Sequence, residues 1–143
     1  MGDFMKKYRA VIVFGVLIVL LLFLDILTKN VCEIKVKNTG FAWGFGSKMG
    51  IILVILTLFF SVLACIAWWF YAKKDIFGSV AFAFFIAGAL GNIFDRITLG
   101  YVRDFITLPF WETFPVFNFA DMCLTIGTIL LFVFYILRSK KNA

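Results

Sequence analysis

Asp104 and Asp121 lie near the two ends of one aromatic stretch, YVRDFITLPFWETFPVFNFAD, in a chain of 143 residues that has only eight acidic residues. Two carboxylates brought together in a partly dehydrated site cannot both ionise easily, so one pKa rises and the pair shares a proton. Such a pair lets one carboxylate take a proton from water while the other protonates a peptide carbonyl. Each acid also has a plain structural use. Asp121 sits four residues into the last apolar run, just after Asn118, and either residue suits a helix cap; Asp104 follows Arg103 and fits an exposed loop acid. Asp25 and Lys29 share a helix face at i, i+4 and suit a salt bridge that locks a helix end. Asp95 and Arg96 are adjacent, so they point to different faces and leave Arg96 able to reach another partner.

Elimination sharpens the chemistry. The chain has no histidine, which excludes Ser-His and Cys-His hydrolases and HExxH metalloenzymes. A Ser-Lys dyad survives only weakly: Ser61 and Ser79 fall in apolar runs without a lysine at their depth, and Ser47 stands beside Lys48. There is no Walker-type glycine loop. Cys32, Cys65 and Cys123 show no CxxC spacing, so neither a disulfide framework nor a metal site is expected. Cys65 and Cys123 are expected to pack inside the helices and Cys32 to lie outside. If a bond is hydrolysed, paired aspartates are the best available machinery.

The elements that must position these residues belong in a membrane. The chain is 64% hydrophobic and 15% charged, with a mean hydropathy of +1.05, against about 25% charged for a soluble domain. Met49–Ala72 and Ile76–Phe94 carry no charge, Ala10–Thr28 carries only Asp25, and Phe117–Leu137 carries only Asp121. Crossing the hydrocarbon core takes about 20 residues of helix, so four transmembrane helices are expected, at 9–28, 49–72, 76–95 and 118–137. No small-residue cleavage site follows the first run, which ends in LDILTKN, so it is expected to be retained. Lys6, Lys7, Arg9, Lys73, Lys74, Arg138, Lys140 and Lys141 fall on one side, predicting both termini in the cytoplasm and the acids at the outer face. The net charge of +6 is thus an orientation signal that also suits anionic headgroups, with no nucleic acid implied.

Two outer segments are more than turns. CEIKVKN alternates with the period of a half-buried strand, NTG supplies a turn, and FAWGFG suits a second extended piece, together a two- or three-stranded flap. Pro109 and Pro115 disfavour a continuous helix between helices 3 and 4. Tyr101, Phe105, Phe110, Trp111, Phe114 and Phe117 suit the headgroup level, in a partly helical segment lying on the bilayer. That 16-residue connection can fold back to bring Asp104 and Asp121 together.

Four stretches, DILTKN, NTGFAWGF, GNIFDRITLGYVRDF and FNFAD, occur in this order across nearly the whole chain. Together they resemble the motifs of the lipoprotein signal peptidase (signal peptidase II) family. The resemblance implies an all-α polytopic membrane protein forming one domain over 1–143. It would have four transmembrane helices, a small extracytoplasmic β-cradle near 31–48, and an interfacial loop or short helix between helices 3 and 4. It implies an aspartic endopeptidase of the bacterial inner membrane that cuts prolipoproteins just before a diacylglyceryl-modified cysteine. Asp104 and Asp121 match the catalytic positions. Asn38, Gly40, Asn92, Arg96 and Asn118 match substrate-binding positions, and Asp25, Lys29 and Asp95 match supporting ones. No cofactor or metal is implied, a monomer suffices, membrane lipids are partners, and globomycin is the family's inhibitor. The competing expectations are a small four-helix transporter subunit and a non-catalytic assembly factor. The charge-free middles of the helices weigh against a transmembrane ion path.

Overall fold

The structure is a computed structural model that describes residues 2–40 and 50–142. Four helices, α1 (Gly2–Val31), α2 (Gly50–Tyr71), α3 (Ile76–Leu99) and α4 (Phe119–Asn142), are joined by segments that carry two short strands, β1 (Val36–Asn38) and β2 (Val102–Asp104). All four helices contain stretches long and apolar enough to cross a membrane, which is the expected all-α polytopic architecture.

α3 is the hub. Its apolar stretch is 67% buried, against 17% for α1 and 22% each for α2 and α4. Composition explains the difference, because the buried face of α3 is built largely of Gly78, Ser79, Ala81, Ala83, Ala87, Gly88 and Ala89. Lipid supplies no hydrophobic drive between helices, so small residues that admit close backbone approach decide which helices pack. Gly88 shows the point: a Cβ there would collide with the Ala120 carbonyl and with Leu124 of α4.

Two apolar clusters fill the interior. Trp68, Ala72, Phe82, Ile86 and Phe134 pack at one end, and Leu21, Ala87 and Cys123 pack nearer the acids. At the first end Trp68 Nε1 donates to Ser79 Oγ (3.0 Å), which donates to the Ala72 carbonyl (3.1 Å), so the buried polar atoms linking α2 to α3 are satisfied. Ser61 Oγ donates to Thr57 O of its own helix. Neither serine forms a dyad with a lysine. α2 buries only a narrow face, with Leu53, Val54, Ser61 and Trp68 covered, and Cys65 stands at the uncovered edge of that face. Cys65 is therefore exposed, correcting the expectation that it packs inside, whereas Cys123 is buried as expected and Cys32 is exposed.

Local signals set the helix ends near the acids. Gly100, at φ +80°, ends α3 by donating its N–H to Arg96 O (3.1 Å), a left-handed cap that costs a glycine little. The chain then enters β2, which pairs antiparallel with β1 in the register Val36–Asp104, Lys37–Arg103 and Asn38–Val102. The predicted strand in CEIKVKN thus exists, and its described partner comes from the connection between α3 and α4. Val36 is 41% exposed on this two-stranded ribbon. The expected second extended piece at 41–46, with Ser47 and Lys48, lies outside the described residues. The connection from α3 to α4 carries β2 and then turns, with no helix among its residues, which corrects the expectation of a partly helical segment; Pro109 and Pro115 leave too short a run between them for a helix. The base of this loop is closed by the bridge between Ile106 and Phe117, with Ile106 N donating to Phe117 O (2.8 Å) and Phe117 N to Ile106 O (3.1 Å). Phe110 is 84% and Trp111 53% exposed at the tip.

Candidate active site

The closed loop returns the chain beside its own starting point. Asp104 ends β2 and Asn118 precedes α4, and the bridge between them lets Asn118 Nδ2 donate to Asp104 Oδ1 at 2.7 Å. Asn118 is also the N-cap of α4. Its Oδ1 accepts from the Asp121 N–H (3.0 Å), and Asp121 Oδ2 accepts from the Asn118 N–H (3.1 Å). This reciprocal pattern is a capping box, here with asparagine and aspartate in place of the usual residues. The capping use of Asp121 and its closeness to Asp104 are therefore one feature. The same residue that starts the helix links the two acids.

Three asparagines surround the pair. Asn38 Nδ2 donates to Asp104 Oδ2 (3.1 Å), and its Oδ1 accepts from the Gly40 N–H (3.0 Å). Asn92 Nδ2 donates to Asp121 Oδ1 (2.7 Å), while its Oδ1 accepts from Asn118 Nδ2 (3.1 Å) and from Lys29 Nζ (3.3 Å). An ammonium only donates, so Lys29 fixes which end of the Asn92 amide faces it and turns the amide's N–H toward Asp121. Asp104 is 1% exposed. Burial, and then the negative charge of Asp121, push its carboxyl up to about 6, against the opposing hydrogen bonds from Asn38 and Asn118. Asp121 is half-buried and borders a groove of about 560 Å³ between α2 and α4. Asn38, Gly40, Asn92 and Arg96 share that border, with Leu53, Thr57 and Thr125 among the other lining residues. Asn118 is fully buried, its amide committed to the acids. Arg96 donates from Nη2 to Gly40 O (3.0 Å), and its buried Nε has no hydrogen-bond partner among the described residues. As the sequence suggested, it turns away from Asp95.

Behind the pair is a second charged cluster. Lys29 Nζ contacts Asp25 Oδ2 at 2.8 Å and Asp95 Oδ2 at 3.4 Å, and Asp95 Oδ1 accepts from Arg103 Nη2 at 2.9 Å. The backbone N–H and Nε of Arg103 also reach Asp95 Oδ2, at 3.0 and 3.2 Å, and the side-chain bonds to Asp95 hold the guanidinium pKa above its ordinary value. Asp25 Oδ1 accepts from the Ala120 N–H (3.0 Å), so the cluster anchors the first turn of α4. The i, i+4 pairing of Asp25 with Lys29 was visible in the sequence, but its burial was not: both residues are 2% exposed. Arg103 was missed as a site-supporting residue. Its signal is the strand itself, since neighbours in β2 face opposite ways, and Arg103 reaches Asp95 while Asp104 meets the asparagines.

The chain is similar to known proteins in sequence and in fold. Residues 17–137 match the family model described as signal peptidase (SPase) II. A lipoprotein signal peptidase of Enterococcus faecalis is 39% identical over 73% of this chain and 64% of its own length. One from Clostridium acetobutylicum is 36% identical over 75% of this chain and 71% of its own. One from Staphylococcus aureus is 42% identical over 74% and 65%, respectively. The chain thus spans a little less than two thirds of the Enterococcus and Staphylococcus relatives. Two bacterial membrane enzymes solved by the in meso method superpose with TM-scores of 0.78 and 0.73, at 30% and 32% identity. They cover 90% and 84% of this chain and are themselves each 90% covered.

Proposed function

The chain belongs to the signal peptidase II family, and from that premise we propose that it is an aspartic endopeptidase that removes the signal peptide from diacylglyceryl-modified prolipoproteins, cutting before the lipidated cysteine. The observation that carries this reading is Asn118, which donates to Asp104 through its side chain and to Asp121 through its backbone, and so links a buried carboxylate to one that lines the groove. In the working enzyme one member of the pair is protonated and the other ionised. The ionised member accepts a proton from a water held between them as that water attacks the scissile carbonyl. The protonated member gives its proton to the carbonyl oxygen, leaving a neutral tetrahedral intermediate. Its collapse breaks the C–N bond, with a proton returned to the leaving amine.

The surrounding residues take distinct parts. Asn92 and Asn118 hold the carboxylates in register, and Asn38 and Gly40 form the β1 side of the groove. The unpartnered Nε of Arg96 is a donor available to a substrate backbone carbonyl. Asp25, Lys29 and Asp95 support the site from behind. Substrate acyl chains lie along the apolar part of the groove, at Leu53, Leu124 and Ile126, with burial contributing about 0.8 kcal/mol per methylene. In the membrane, both termini face the cytoplasm and the acids face outward, as the basic residues direct. Globomycin would compete for the same groove, and a single copy carries the complete set of residues.

The test is cleavage of a diacylglyceryl-modified lipobox peptide by wild type, Asp104→Asn and Asp121→Asn, with an unlipidated peptide as control. Cutting by wild type alone, of the lipidated peptide alone, is the expected result. A folded but inert wild type, or two active variants, would overturn the reading. With Asp104 held at about 6, kcat/KM should also fall as pH rises above that value and the shared proton is lost.

A further inference from the structure

The end of the bundle opposite the acids has a groove of its own. α2 packs on α3 and stands off from α4. The gap between the last turn of α2 and the second half of α4 is a cavity of about 770 Å³, within the 300–1,000 Å³ range of small-molecule sites. Phe82 of α3 and Phe134 of α4, both members of the buried cluster, line it together with Tyr71, Leu131 and Tyr135. Arg138 and Ser139 complete the lining and lie at the chain-terminal end of α4. Arg138 bridges the gap, donating from Nη1 to the Tyr71 carbonyl at 2.7 Å, with its guanidinium 5.6 Å from the Tyr71 ring centroid. That bond uses one of five guanidinium N–H donors.

The charge at this mouth has one sign. Lys73, Lys74 and Lys140 lie at the same end as Arg138, and Lys73 Nζ sits 3.8 Å over the Trp69 ring. Among the described side chains the carboxylate here is Asp75, and it is turned to its own helix, accepting from the Gly78 N–H at 2.6 Å as the N-cap of α3. An apolar slot between transmembrane helices with a basic mouth complements a phosphate carrying acyl chains. We propose that this groove is a binding site for a phospholipid with an anionic headgroup, drawn from the leaflet that faces the chain termini. One acyl chain lies against Phe82, Leu131 and Phe134, and the phosphate meets Arg138 and the Ser139 hydroxyl. The bound lipid then joins α2 to α4 at the end where Arg138 links them. The site is separate from the acids and does not depend on the activity proposed above.

The test is native mass spectrometry of the full chain released from detergent with dioleoyl phosphatidylglycerol or dioleoyl phosphatidylcholine. The variants are Arg138→Gln, Leu131→Trp, which fills the slot without touching the charge, and Lys35→Gln, which removes an exposed cation at the opposite end. Wild type and Lys35→Gln should retain one phosphatidylglycerol at roughly tenfold lower lipid concentration than phosphatidylcholine, a factor equal to about 1.4 kcal/mol. Arg138→Gln should lose that preference, and Leu131→Trp should retain neither lipid specifically. Thermal unfolding of each variant separates a lost site from a lost fold. Equal retention of the two lipids by wild type, a preference that survives in Arg138→Gln or Leu131→Trp, or a protein dimer in place of lipid adducts would overturn the proposal.

Discussion

Two groups of buried charge meet at one end of this bundle, and the fold treats them in opposite ways. In the cluster behind the site, Asp25 and Asp95 are matched by Lys29 and Arg103, and each carboxylate contacts a cation at 2.8–2.9 Å. In the front pair, the side chains that hydrogen-bond Asp104 and Asp121 are the amides of Asn38, Asn92 and Asn118, while the charges of Arg96 and Lys29 act on the pair through space, with no ion pair to either acid among the described residues. Amides satisfy lone pairs without fixing the charge, so the front pair can gain or lose a proton at modest cost. Ion pairs do the reverse, because neutralising one partner strands the other. Lys29 belongs to both groups and connects them, through Asp25 on one side and Asn92 on the other.

The largest effect that tests this contrast is on cleavage. Removing either front acid as the near-isosteric amide should lower kcat by at least about 10³-fold, within the range for losing a positioned acid or base. The fold should survive, as thermal unfolding would show. The rear cluster should respond the other way. Lys29→Met leaves Asp25 and Asp95 buried with only Arg103 between them, and should destabilise the protein by about 3–5 kcal/mol. Its reading is the unfolding midpoint in denaturant. If Lys29→Met left stability intact while Asp104→Asn unfolded the protein, the division of labour would be reversed.

This division was only half legible in the sequence. The acids announced themselves because charge is scarce in so apolar a chain, and the i, i+4 spacing of Asp25 and Lys29 named a pair directly. The helices were legible because unbroken apolar runs have one stable form in lipid. Contacts between distant segments were not. Nothing in CEIKVKN says that its partner is Val102–Asp104, since three-residue strands carry too little pattern to fix a register. Arg103 looked like a loop residue because its partner, Asp95, lies across a helix cap whose direction only Gly100 sets. Cys65 was misplaced for a related reason. An apolar helix in a membrane hides no face from water, so hydrophobicity cannot say which side meets lipid.

Asn118 holds a smaller and more discriminating test, because it caps α4 and holds Asp104 at once. Serine is as good an N-cap as asparagine, whereas alanine costs about 1 kcal/mol. Asn118→Ala should therefore lose both stability and turnover. Asn118→Ser keeps the cap and should lose less stability than Asn118→Ala, giving up the buried donors to Asp104 and Asn92, while kcat falls on the order of 10²-fold, the scale of a misplaced reacting group. Normal turnover in Asn118→Ser would mean that the amide does not position the acids.

The smallest effect is on stability alone, and its sign is the informative part. Asp104 has a folded pKa of about 6 against an ordinary 3.8, so the folded state holds its proton more tightly than the unfolded chain does. Stability linked to this group is fully present below about pH 3.8 and is lost as pH rises through about 6. Above that, an ionised Asp104 burdens the fold by up to about 3 kcal/mol, from 1.36 kcal/mol per pH unit. Asp104→Asn removes that burden. It also sets an amide N–H against one of the donors from Asn38 or Asn118, which offsets much of the gain. The variant should thus be more stable than wild type by about 1 kcal/mol at pH 8, with the margin shrinking as pH falls toward 4. Unfolding midpoints of both proteins across that range would measure it. A margin that stayed constant with pH would show that Asp104 carries no raised pKa, and with it would go the proton that the pair is held to share.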